Sequence, residues 1–176
     1  MATKLEFIKS NSYGYSDTGV ASLSVTDCFD DRYDVYFITV LLGQSGIAAT
    51  DVNMRFLDSS DTEISTSNYD YALLNMNFGS AFSETKSTGQ TKFYAIGNLT
   101  GRTSTNETST ANIYIYNPTS TSFYTFVQAQ GVDNDDRGGK YIGVLKETTS
   151  CTGIKFIPNN SSATFREITV NVYGVK

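Results

Sequence analysis

Between Tyr33 and Leu42 the chain reads YDVYFITVLL, its longest run of aromatic and β-branched residues, bounded by CFDD before and GQSG after. Such side chains favour a pleated, half-buried backbone, and the turn formers on either side limit the run to one strand. Side chains alternate across a strand, so Tyr33, Val35, Phe37, Thr39 and Leu41 lie on one face and Asp34, Tyr36, Ile38, Val40 and Leu42 on the other. Both faces are largely apolar. A strand of an antiparallel sheet packed on one core normally turns polar residues to water on its second face. This one demands cover on both sides, from a second layer of the same chain, a long loop or another subunit.

Shorter alternating runs surround it. Leu5 and Phe7 share a face in a first short strand over 4–9, followed by a turn-rich stretch, SNSYGYSDTG. Over 20–26 Ala21, Leu23 and Val25 face one way and Ser22, Ser24 and Thr26 the other, and over 52–57 Val52, Met54 and Phe56 point inward. Residues 69–82 mix signals: Ala72, Leu73, Leu74 and Met76 suit one or two helical turns. TKFYAIG over 91–97 is strand-like, and ANIYIYNP and SFYTFVQAQG flank a short turn as a β-hairpin. In that hairpin Ile113 and Ile115 oppose Tyr114 and Tyr116, while Phe123 and Val127 oppose Tyr124 and Phe126. VDNDDRGG reads as an exposed acidic loop. The final strand sets Ile168, Val170 and Val172 on one face with Phe165 out of phase, which predicts a bulge near Arg166 and Glu167. Roughly ten short strands with almost no helix predict an all-β fold, an antiparallel β-sandwich of jelly-roll type. The 176 residues are expected to form a single domain, 1–176.

Composition removes several functions. Lys and Arg number 13 against 18 Asp and Glu, for a net charge of −5, and they are scattered, so no basic stripe awaits a nucleic acid. No apolar run approaches the ~20 residues of a membrane span. The opening MATKLEFIKS has no apolar secretory core, so synthesis in a cytoplasm is expected. The chain has no His, which removes Ser–His and Cys–His dyads and the commonest zinc ligand. Paired carboxylates leave a hydrolytic route open, but Asp30, Asp31, Asp34, Asp133, Asp135 and Asp136 nearly all sit in turn-like contexts and read as solvated turn carboxylates. The Asp133–Asp136 loop is not an EF-hand, since Arg137 and Val144 occupy the fifth and twelfth positions. Cys28 and Cys151 read as two reduced thiols packed as small apolar groups; one disulfide is the alternative if their strands are neighbours. Neither a cofactor nor a metal is expected, and no enzyme activity.

The positive signal is aromatic: 12 Tyr and 11 Phe with no Trp. Tyrosine joins a large apolar body to a hydrogen-bonding tip and suits surfaces buried against something partly wet. Tyr36, Tyr114, Tyr116, Tyr124 and Phe126 stand opposite core-type residues on their strands, as candidates for subunit contact or for stacking on a sugar. The third reading is cover by another layer of the same chain.

DDRYDVYFITV resembles the Tyr-rich strand core of tailed-phage virion proteins, and ITVNVYGVK resembles their strand-then-Tyr-Gly terminus. FIPNNSSATF before the last strand and the Ser, Thr, Asn and Tyr-rich composition are similar as well. The resemblance implies a small β-sandwich or jelly-roll module of the virion that decorates capsids or builds fibres and knobs. Its implied partners are other virion proteins, of capsid or tail, and its own copies, frequently as trimers. No catalytic residue carries over. The lack of a shaft or coiled-coil segment points to a compact head-decoration or fibre-tip module. The alternative is a carbohydrate-binding module that recognises a host glycan.

Overall fold

The computed structural model describes residues 4–46, 50–79, 82–101, 108–133 and 136–176. Its strands are β1 (Leu5–Tyr13), β2 (Leu23–Val25), β3 (Val35–Ser45), β4 (Thr50–Leu57), β5 (Tyr69–Asn77), β6 (Ser83–Gln90), β7 (Thr100–Gly101), β8 (Ser109–Tyr116), β9 (Thr125–Val132), β10 (Arg137–Leu145), β11 (Gly153–Pro158) and β12 (Phe165–Val175). Two antiparallel sheets result, one of eight strands in the order β1-β12-β3-β8-β9-β10-β5-β6 and one of four in the order β2-β11-β4-β7. Their packing makes the β-sandwich that the alternating runs predict.

The core lies between the sheets. From the large sheet it takes Tyr36, Ile38, Val40 and Leu42 of β3, Ile113 and Ile115 of β8, Val127 of β9 and Ile168, Val170 and Val172 of β12. The small sheet answers with Val52, Met54 and Phe56 of β4 and Ile154 and Phe156 of β11. Period-two alternation produces this division, because one residue in two of each strand must leave water. Gly131 of β9 shows how tightly the layers meet: a Cβ there would lie 2.3 Å from the carbonyl oxygen of Gly97, in a 3₁₀ turn over Ile96–Asn98 packed beneath the strand.

Four expectations change. Residues 69–77 form β5 rather than helical turns, because pairing with β10 and β6 satisfies their backbone and lets Leu73 be buried while Leu74 is exposed. Within TKFYAIG only Phe93 makes a bridge, to Met54; positive φ at Ala95 (47°) and Gly97 (63°) then turns the chain into the 3₁₀ segment. The first strand runs on to Tyr13, with a bulge between Phe7 and Lys9. Among the described residues the strands number twelve rather than roughly ten: β5, β6 and the two-residue β7 are added, and the strand expected over 91–97 is lost. The bulge near Arg166 and Glu167 is present as a register shift against β3.

Cys28 and Cys151 are free, buried thiols. Burial pushes both up to about 12. A thiol reagent at pH 8 is therefore expected to label neither cysteine in the native protein and both on unfolding, as followed by absorbance during a denaturant titration.

Candidate functional site: the outer face of the large sheet

The strand register lines side chains into rows across the outer face of the large sheet. One row runs Phe7, Tyr173, Phe37, Tyr114, Gln128, Ile142, Ala72 and Lys86, one residue from each of the eight strands. Its first four members form a continuous ladder of rings, with centroids 5.7 Å apart for Phe7 and Tyr173, 6.2 Å for Tyr173 and Phe37, and 4.9 Å for Phe37 and Tyr114. Directly opposed residues on neighbouring strands are close enough for such ring contacts, so the pairing itself builds the ladder.

The next row is polar apart from Leu74: Ser10, Asn171, Thr39, Asn112, Gln130, Lys140, Leu74 and Glu84. Asn171 Nδ2 donates to Thr39 Oγ1 at 3.2 Å. Among the described residues, the amides of Asn112 and Gln130 and the ammonium of Lys140 make no hydrogen bond within the chain. On the other side of the ring ladder lies an apolar row, Val35, Tyr116, Phe126 and Val144, ending at Asp70. Tyr116 reaches back from it to donate its hydroxyl to Gln128 Oε1 at 3.0 Å.

Two adjoining hollows are sunk in this face. One, of about 650 Å³, is lined by Phe37, Asn112, Tyr114, Gln128, Gln130 and Lys140 among others. The other, of about 1110 Å³, takes in Lys86, Thr88, Tyr116, Phe126, Gln128 and Ile142. Gln128 and Ile142 belong to both, so the two form one groove running across the strands. Tyr114 (41 %), Phe126 (48 %) and Ile142 (60 %) are exposed there, although an aromatic or aliphatic side chain gains from leaving water. No segment among the described residues covers them.

Of the sequence candidates, Tyr114, Tyr116 and Phe126 come together on this face. Tyr36 does not, and its candidacy is withdrawn: it points into the core with no exposure. Its hydroxyl accepts from the Asp30 N–H at 2.7 Å and donates to the Asp30 carbonyl at 2.8 Å, and its ring packs edge-on against Phe29 at 4.7 Å. Burial raises its phenol well above the ordinary range. Tyr124 lies in the turn before β9 rather than on the strand, exposed beside Phe123. The outward set of β3 is Val35, Phe37, Thr39 and Leu41, so Phe37 and Tyr173, neither singled out from the sequence, are ladder members. Their one sequence signal was an aromatic residue alternating with core residues, without the register that joins the strands.

The acidic loop also departs from expectation, since Asp133 is buried and ion-paired with Arg137 at 2.8 Å, while Asn134 and Asp135 lie outside the described residues. Asp30 is held below the usual carboxylate range chiefly by the Arg32 guanidinium. No group of three metal-ligating side chains occurs among the described residues.

No family model and no curated protein matches the chain. Solved structures resemble it distantly. A human SPRY domain shares 10 % identity over 97 % of this chain and 96 % of its own, with a TM-score of 0.38. The marine PL-14 alginate lyase of Aplysia kurodai shares 8 % over 84 % of this chain and 71 % of its own, at 0.33. Domains LG4-5 of the mouse laminin alpha1 chain share 9 % over 100 % of this chain and 45 % of theirs, at 0.37. Likeness at this level transfers no activity or ligand.

Proposed function

We propose that the chain is a non-enzymatic binding module, of the tailed-phage virion type its sequence resembles, and that it holds a carbohydrate chain across the outer face of the large sheet. The observation that carries this reading is the ladder Phe7–Tyr173–Phe37–Tyr114 lying beside a row of amides and hydroxyls with unused hydrogen-bonding capacity. A sugar ring has apolar C–H faces and a rim of hydroxyls. Aromatic side chains match the first, and Asn and Gln, which both donate and accept, match the second. A purely protein-binding face has less use for an unpaired polar row, which costs free energy when buried without partners. Binding rather than cleavage is supported by the carboxylate that lines the groove, Asp70, which is ion-paired with Lys146.

Screening the protein on an array of bacterial surface glycans is expected to give binding that Tyr114→Ala weakens several-fold to about tenfold, the scale of one stacked ring. Asn112→Ala is expected to weaken it less. Both side chains are exposed, so the fold is untouched.

The apolar row Val35–Tyr116–Phe126–Val144 favours a second reading, contact with other virion subunits through the same face. Replacing Tyr114 and Tyr116 together by Ser and measuring incorporation into particles separates the two. Lost incorporation with no glycan bound by the unaltered chain would sink the carbohydrate reading in favour of the second.

A further inference from the structure

The eight-stranded sheet has two ends of different character. At one, β1 is tied to the small sheet: Lys9 Nζ donates to the Thr26 carbonyl and Asn11 Nδ2 to the Ser24 carbonyl, both at 2.7 Å. At the other, β6 pairs with β5 on one side, and no strand pairs with its second side among the described residues. It is eight residues long, lacks Pro, and is exposed or half-buried at every position on both faces. An open edge of this kind is a template for another strand unless its charges repel the newcomer, so the exposed Glu84 and Lys86 decide which strand can pair there.

The sequence of the edge selects the partner. Glu84 and Lys86 both point to the outer face, opposite Leu74 and Ala72 of β5; they pair with each other at 3.4 Å, and their side chains stay 77 % and 75 % exposed, open to the opposite charges of a second copy. We propose that two copies of this chain join along β6, antiparallel about a two-fold axis through Thr85, with Glu84 of each copy opposite Lys86 of the other. In this register Thr85 faces its own equivalent and Ser83 faces Ser87. Every pair joins residues of like parity, so whichever alternate set of N–H and C=O groups points to the free edge, donors meet acceptors. Sliding by one two-residue step sets Glu84 against Glu84 in one direction and Lys86 against Lys86 in the other, and like charges directly opposed are unfavourable. Charge pattern thus fixes both the occupant and the alignment, and an isologous contact closes as a dimer.

The same register accounts for an exposed aromatic residue. Phe82, 69 % exposed just before β6, comes opposite Thr88 of the second copy, at the rim of the larger hollow. Because the axis stands perpendicular to the sheet, both grooves face the same side. Beyond Thr88 the pairing stops, since Gly89 takes φ +63° and its N–H is held by Asp70 Oδ1 at 2.8 Å.

Sedimentation equilibrium of the full chain over a range of concentrations tests this. The unaltered chain is expected to dimerise reversibly, and E84K and K86E each to weaken dimerisation about tenfold or more. The double variant E84K/K86E is expected to restore it. An equimolar mixture of the two single variants is expected to associate more tightly than either variant alone. A chain that stays monomeric throughout, or single variants that assemble as well as the unaltered chain, would overturn the proposal. Glycan binding is read separately, on the unaltered chain, because Lys86 and Thr88 line the larger hollow.

Discussion

Phe93→Ala is expected to lower the unfolding free energy by about 3–5 kcal/mol, the upper range for a large core residue. Phe93 has no exposure, and its ring meets Tyr69 edge-on at 4.9 Å and Phe56 and Tyr141 at 6.1 Å each. It also fills space left by a glycine: a Cβ on Gly143 of β10 would sit 2.6 Å from Phe93 Cε1. With no side chain at Gly143 to move in, and the other three rings held by their own strands, the cavity has little means of collapse. The backbone of Phe93 is fixed as well, through two hydrogen bonds of 3.0 Å with Met54. A denaturant titration with an unchanged slope and a much lower midpoint is the expected result. A shift below about 1 kcal/mol would show that the site repacks, contrary to this argument.

Glu63→Ala is expected to cost about 1–3 kcal/mol at neutral pH, less than a fully buried pair because all three charges keep some water. The Glu63 carboxylate bridges Arg55 of β4 and Lys155 of β11, adjacent positions in the register of the small sheet, with Lys155 Nζ at 2.5 Å. Removing it leaves two cations side by side. Burial works to raise the Glu63 pKa, but the hydrogen bonds from Lys155 and Arg55 and their charges outweigh it, and the folded value lies below the ordinary 4.5. A depressed folded pKa gives stability that is present above the unfolded value and lost as pH falls through the folded one. The difference between the unaltered chain and Glu63→Ala should therefore be full at pH 7, hold down to about pH 5, and shrink in more acid solution. Guanidinium chloride screens charge, so urea is the suitable denaturant. A difference that stays constant from pH 7 down to the acid limit would show that the carboxylate's charge is not what joins the two strands.

Both residues illustrate what was readable from the chain. The strand alternations at Val52, Met54 and Phe56, and at Ile168, Val170 and Val172, named their buried faces correctly, because a single alternating run carries its own inside and outside. Phe93 was placed in a strand and is instead a single bridge leading into a 3₁₀ turn, since local propensity does not reveal that Ala95 and Gly97 adopt positive φ. Glu63 was one polar residue in a polar connection. Nothing local announces that Arg55, eight residues back, and Lys155, on the far side of the chain, converge on it.

The groove followed the same division. The doubled apolar character of β3 was plain from YDVYFITVLL, and the hairpin's Tyr114, Tyr116 and Phe126 were found by alternation alone. Which half of β3 faces out was not. Tyr36 and Phe37 are neighbours of similar size; one is buried and the other half-buried because the small sheet covers a single side of β3, where Asp30 satisfies the Tyr36 hydroxyl.

Composition and period-two patterning by themselves determined that this protein is a β-sandwich with apolar residues on two sides of its central strand, because each strand's preference for burial is written residue by residue. The order of the strands, and with it the alignment of Phe7, Tyr173, Phe37 and Tyr114 into one ladder, was decided only by tertiary structure. Those four rings are brought within contact by register between strands distant in the chain, and register is a property of pairs that no single segment contains.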